Sequence, residues 1–261
     1  MADKVTAPQI RAMKASGDKI VCLTAYDAYF GALADRAGVD LILVGDSLAN
    51  VVLGYETTVP VTLQEMVHHV RATRRGVKRA LLVADMPFGS YNSSVGQAVD
   101  SAVELMKAGA EAVKLEGDYP DAIEAIVKAG IPLMGHVGMT PQSVNNFGGF
   151  KVQGRGSAAE TVLETAKNIA DAGAFSIVVE LTPADLAKQI SQAISIPTIG
   201  IGAGQGCDGQ IQVLHDILGF ADQTFKHAKR FGEGQALALS AIKDYACEVR
   251  AESFPTDENS F

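Results

Sequence analysis

The feature that most constrains this chain is a short unit that recurs along it. Four times a stretch with helical spacing ends on an Ala-Gly step and passes straight into an apolar run. Ala37-Gly38 precedes Leu41 to Val44, Ala108-Gly109 precedes Ala112 to Leu115, Ala129-Gly130 precedes Leu133 and Met134, and Ala172-Gly173 precedes Ile177 to Val179. Glycine just past a helix takes the left-handed conformation that closes it. Runs of only ~4–6 apolar residues suit strands covered on both faces. Read this way, strands are expected at 20–24, 41–45, 80–84, 112–116, 132–137, 176–180 and 198–202, with a weaker eighth at 211–214. Helices are expected between most of them, for example at 63–75, 96–107 and 158–171. Helix and strand alternating through short links make a parallel sheet, and eight such units close into an α/β (β/α)8 TIM barrel. An open doubly wound sheet is the structural rival. It opens with a glycine-rich loop after its first strand, where this chain reads Thr24-Ala25-Tyr26-Asp27.

Composition narrows the class. The 261 residues are expected to form a single barrel domain, 1–261, with a helical extension at 234–250 and a flexible tail at 254–261. A net charge of -8 argues against a nucleic-acid groove or an anionic membrane as partner. Cys22, Cys207 and Cys247 are odd in number and far apart, so neither a disulfide framework nor a zinc site is expected. The start, Met1 to Lys4, lacks the apolar run of a signal peptide, so the cytoplasm is the expected compartment.

The chemistry is in what ends each run. Leu41 to Gly45 stops at Asp46-Ser47, Ala80 to Ala84 stops at Asp85, and Ser176 to Val179 stops at Glu180. The fourth strand holds Lys114 and Glu116, which at i and i+2 share a face, and the fifth holds His136. In a barrel these ends converge on one rim. Four carboxylates, an ammonium and an imidazole meeting there are costly unless a cation sits among them. Oxygen ligands without clustered His or Cys favour magnesium. The bland alternative is that each carboxylate caps the helix that follows it. Gly200-Ile201-Gly202-Ala203-Gly204 reads equally as a phosphate cradle or a tight turn.

Long motifs then connect. They are Leu23-Thr24-Ala25-Tyr26-Asp27, Val44-Gly45-Asp46-Ser47-Leu48, Ala84-Asp85-Met86-Pro87-Phe88, Val113-Lys114-Leu115-Glu116-Gly117 and Gly135 to Val144, followed by Phe147 to Arg155 and Ile199 to Gly204. Through them the chain resembles the ketopantoate (3-methyl-2-oxobutanoate) hydroxymethyltransferase family over about nine tenths of its length. The resemblance implies a barrel of the phosphoenolpyruvate/pyruvate type. It implies one Mg2+ per subunit on Asp46, Asp85 and Glu116, the last directly or through water. Asp46, Ser47, Asp85 and Lys114 would hold the oxo-acid, Glu180 would be the general base, and His136 would support the metal ligands. It implies 5,10-methylenetetrahydrofolate as co-substrate, and a homodecamer built as a pentamer of dimers. Family members commonly carry Gly-Met after Asp-Ser-Leu, whereas this chain has Ala49-Asn50, a difference in local loop shape. Two rivals are a magnesium-dependent oxo-acid lyase of the isocitrate/2-methylisocitrate type and a catalytically silent barrel acting as a binding subunit.

Overall fold

A computed structural model describes residues 3–221 and 225–261. By internal packing the chain divides into two units, 1–213 and 214–261.

The first unit is the barrel. Its strands are β1 (Ile20–Thr24), β2 (Leu41–Val44), β3 (Leu81–Asp85), β4 (Ala112–Lys114), β5 (Leu133–Gly138), β6 (Ser176–Glu180), β7 (Thr198–Ile201) and β8 (Gly209–Gln212). They pair in parallel in sequence order, and β8 returns to β1. Every expected strand is present. β8 begins two residues early, because Ile20 N–H donates to Asp208 O and so sets its register against β1.

Alternation along the strands builds the interior in layers. Leu41 and Leu43, Leu81 and Val83, Ala112, Met134, Val178, Ile199 and Ile211 belong to one buried cluster. The next residue of the same parity is Asp85 on β3, Lys114 on β4, His136 on β5 and Glu180 on β6. The lower layers are therefore apolar and the topmost is charged.

The N-terminal end is closed by a helix that the periodicity does not reveal, Ala7–Ser16. Its Ile10, together with Val5 and Ala7, completes the same buried cluster. Lys4 Nζ donates to Ala80 O at 2.6 Å, just before β3. Lys14 Nζ donates to Ser191 O at 2.7 Å in the helix Ala184–Ala193 and to Ile196 O at 3.0 Å before β7, which ties both sides of this plug to the barrel.

The second unit holds the helices Leu214–Leu218 and Gly234–Arg250. None of the residues in Gly234–Arg250 is buried. The segment 254–261 carries a turn of 3₁₀-helix at Asp257–Asn259, after Thr256. Among the described residues, no helix is long and apolar enough to cross a membrane.

Candidate active site at the carboxyl rim

Five charged groups of the rim are almost wholly enclosed. Asp46, Asp85, Lys114, Glu116 and His136 are each 2–4% exposed. The side chain of Glu180 is 16% exposed and reaches the opening.

Asp46 enters from β2 because of Gly45. At Gly45, which shares parity with Leu41 and Leu43, a Cβ would come within 2.8 Å of Ser47 Oγ and 3.5 Å of Asp85 Oδ2. The missing side chain lets the β2 end lie against β3, and Asp46 N–H donates to Asp85 Oδ2 at 3.0 Å. Ser47 Oγ lies 2.9 Å from the Tyr26 hydroxyl. The Ala49-Asn50 departure is absorbed in the short helix Leu48–Val51, where Ala49 is buried and Asn50 Nδ2 donates to Tyr55 O at 2.9 Å.

Lys114 and Asp85 face each other in register across β3 and β4 and form a short ion pair. Lys114 Nζ also lies 3.8 Å from Glu116 Oε1. Burial works against the ammonium, but Asp85, Glu116 and Asp46 outweigh it and hold Lys114 above its ordinary range. His136 stands between two carboxylates, with Nδ1 3.3 Å from Glu116 Oε1 and Nε2 3.3 Å from Glu180 Oε2. Neither contact has good hydrogen-bond geometry, so the attraction is mainly coulombic. Burial and Lys114 lower its pKa, yet Glu116 and Glu180 prevail and push it up to about 9. The imidazole is therefore charged at neutral pH. Glu116 stays below the usual carboxylate range: burial opposes this, but His136, Lys114 and the Gln142 N–H outweigh it.

Asp46 is the exception. Burial first, then Asp85 and Glu116, drive its carboxyl well above the ordinary range. Asp85 is also raised, by burial and by Glu116 against the pull of Lys114. Counted as ions, Asp46, Asp85, Glu116 and Glu180 face, among the described residues, only Lys114 and His136.

The backbone beside Glu180 is tightly set. A Cβ on Gly138 would fall 2.2 Å from Glu180 O, and Gly138 has φ 93°, so no other residue fits where β5 meets β6. The next residue, Leu181, takes φ 42° and turns the chain away after Glu180.

Two neutral residues in the site escape the sequence reading. Gln142, 5% exposed, donates through Nε2 to Asp46 Oδ2 at 2.9 Å and to Met86 O at 3.0 Å. Tyr91 donates its hydroxyl proton to Gln142 Oε1 at 2.6 Å. Gln142 lies inside the motif 135–144, but an uncharged amide on a 3₁₀ turn carries no periodic signal. In the 200–204 loop, Gln210 Nε2 donates to Gly204 O at 3.0 Å, as suits a tight turn. Among the described residues, no three His, Cys, Asp or Glu side chains close on one point as a preformed metal cage. The donor set nevertheless suits a hard cation: it is all oxygen, it is buried, and the pull of Lys114 on Asp46 is outweighed by burial and by Asp85 and Glu116.

The model of the ketopantoate hydroxymethyltransferase family matches residues 4–257. A 3-methyl-2-oxobutanoate hydroxymethyltransferase of Carboxydothermus hydrogenoformans is 50% identical over 264 aligned positions, covering 99% of this chain and 96% of its own. Among solved structures, a phosphonopyruvate hydrolase complexed with oxalate and Mg++ superposes with a TM-score of 0.63 at 14% identity, covering 98% of this chain and 93% of its own. A 2,3-dimethylmalate lyase, described as a PEP mutase/isocitrate lyase superfamily member, superposes at 0.60 and 15% identity, covering 98% and 91%. At such identity these two attest the barrel type alone.

Proposed function

Because the chain belongs to the ketopantoate hydroxymethyltransferase family, we propose that it transfers the one-carbon unit of 5,10-methylenetetrahydrofolate to C3 of 3-methyl-2-oxobutanoate. The products are 2-dehydropantoate and tetrahydrofolate, with water supplying the new hydroxyl. The step serves pantothenate and coenzyme A synthesis. The observation that carries the reading is the charge balance of the rim, where four carboxylates face two cations and, among the described residues, Asp46 forms no ion pair.

Asp46 and Asp85, with Glu116 directly or through water, would hold a magnesium ion, whose charge would restore that balance. Magnesium characteristically takes one or two protein carboxylates and fills its remaining positions with water and substrate oxygens. When bound, it supplies a Lewis acid to the carboxylate and keto oxygens of the oxo-acid.

The chain's own groups do the rest. Lys114, held as an ammonium by Asp85, offers positive charge to the oxygen that becomes anionic. An ammonium is a poor nucleophile, so Lys114 forms no imine with the keto group. Ser47 orients the oxo-acid carboxylate. Glu180 accepts the C3 proton. His136 is charged and engages Glu180 Oε2, which fixes the carboxylate and leaves Oε1 for the transfer. The electron pair of the broken C3–H bond forms the bond to the incoming carbon.

The enzyme works on small molecules in the cytoplasm, with no nucleic-acid or membrane partner. It assembles as a homodecamer, to which the exposed Leu237, Leu239, Ile242 and Tyr245 of the helix Gly234–Arg250 offer an apolar face. Truncation before Gly234 is then expected to lower the mass seen by light scattering, and an unchanged mass would remove this helix from assembly.

The test supplies both substrates. 2-Dehydropantoate should form with magnesium, stop with EDTA and resume on magnesium addition, while 2-methylisocitrate-like acids stay intact. Cleavage of those acids without any hydroxymethyl product would establish the lyase instead.

A further inference from the structure

The geometry points to Gln142 as a positioning residue that, braced by Tyr91, holds the β2 and β4 carboxylates in the arrangement needed for a divalent cation. The inference rests on the metal-dependent reading above and adds to it two residues that act through Asp46 and Glu116.

Its basis is a network in which Met86 O fixes the orientation of the Gln142 amide, and the one Tyr91 hydroxyl proton serves Gln142 Oε1 at 2.6 Å in preference to Glu116 O at 3.3 Å. Met86 O can only accept, so the Gln142 atom 3.0 Å from it must be the NH2 group, whose second proton goes to the Asp46 carboxylate at 2.9 Å. That leaves the amide oxygen to accept the Tyr91 hydroxyl proton at 2.6 Å. The same hydroxyl accepts from Glu116 N–H at 3.3 Å. Gln142 N–H in turn donates to Glu116 Oε2 at 3.0 Å. One residue therefore grips a carboxylate from each of two strand ends, Asp46 through its side chain and Glu116 through its backbone. Tyr91 links the far side of the amide back to the Glu116 backbone. All four residues are buried, so water does not compete for these bonds.

The choice of an amide has a physical reason. A lysine at this place would fix Asp46 equally well but would neutralise the charge that the cation needs. The amide orients the carboxylate and leaves its charge intact. It engages Oδ2, and among the described residues Oδ1 has no protein donor.

The experiment reads Mn2+ affinity by electron paramagnetic resonance on the full chain without substrates, beside thermal melting in EDTA. Gln142→Met keeps the length of the side chain and the backbone bond to Glu116 but removes the amide. It should weaken Mn2+ binding about 10- to 100-fold. Tyr91→Phe frees the amide oxygen and should weaken binding in the same direction by less. The double variant should bind no worse than Gln142→Met alone, because Tyr91 acts only through the amide. Equal Mn2+ affinity in folded Tyr91→Phe and Gln142→Met, with only the melting temperature lowered, would overturn the assignment and leave the metal site standing. Should Gln142→Met fail to fold, unchanged affinity in Tyr91→Phe alone would overturn it. Absence of Mn2+ binding in the wild type would remove the metal reading and this inference with it.

Discussion

The two ends of the barrel use the same charged residue types to opposite purpose. At the N-terminal end Asp35, Asp208 and Glu111 are each answered by hydrogen-bond donors. Asp35 accepts from the backbone N–H groups of Lys78, Arg79 and Ala80 at 2.6–3.0 Å. Asp208 takes Lys14 Nζ at 3.0 Å and Thr198 N–H at 2.8 Å, and Glu111 takes Lys4 Nζ at 2.6 Å and Leu82 N–H at 3.0 Å. Burial opposes ionisation of Asp35 and Asp208, yet these bonds win and hold both below the ordinary range. At the carboxyl rim burial prevails at Asp46 and Asp85, which are pushed upward, whereas His136 and Lys114 hold Glu116 below its ordinary range. Charge that is locally satisfied stabilises the fold. Charge left unsatisfied costs stability and marks the place where a ligand completes the site.

Substitution at each end should separate the two purposes. The largest effect is expected at the rim. Asp46→Asn keeps an acceptor for Gln142 but removes a charge, and turnover should fall about 10³-fold or more through loss of the cation. Its melting temperature in EDTA should be no lower than that of the wild type, since a buried like charge has gone. A large loss of metal-free stability would place Asp46 among the fold's own supports.

Asp35→Ala at the opposite end should do the reverse. Three backbone donors lose their acceptor, at roughly 1–3 kcal/mol for each one buried, so unfolding free energy should drop by about 3 kcal/mol. The KM for oxo-acid in the protein that remains folded should not change. A catalytic defect without a stability defect would erase the distinction between the ends.

A smaller effect appears with pH. The folded pKa values of Asp35 and Asp208 are depressed, so their stabilisation is present above the unfolded value of ~3.9 and is lost as pH falls through the folded values. Urea unfolding should therefore show an acid limb below about pH 4 that becomes shallower in Asp35→Asn. An identical limb in that variant would assign acid sensitivity elsewhere.

The sequence reveals the two ends unequally. Asp85, Lys114, His136 and Glu180 each continue an inward-facing alternation whose earlier members are apolar, so a polar residue in that phase announces itself. Glu116 follows the same phase even though β4 ends at Lys114. Gln142 and Tyr91 lie outside the strands and carry no charge, and only the closed barrel brings them to Asp46. The N-terminal plug is hidden for another reason. Its helix of 10 residues buries only Ala7 and Ile10, too few positions to mark a period. The expected base and the expected ion holders could thus be named from the chain, whereas the parts that brace them required the fold.

The central claim is that the rim removes the C3 proton of 3-methyl-2-oxobutanoate through Glu180. Proton magnetic resonance in D2O measures it most directly, by following exchange at C3 with magnesium and without folate. The wild type should exchange, and Glu180→Gln, with fold and oxo-acid binding intact, should exchange at least ~10²-fold more slowly. Exchange at the wild-type rate in folded Glu180→Gln would contradict the account and pass the role to another group.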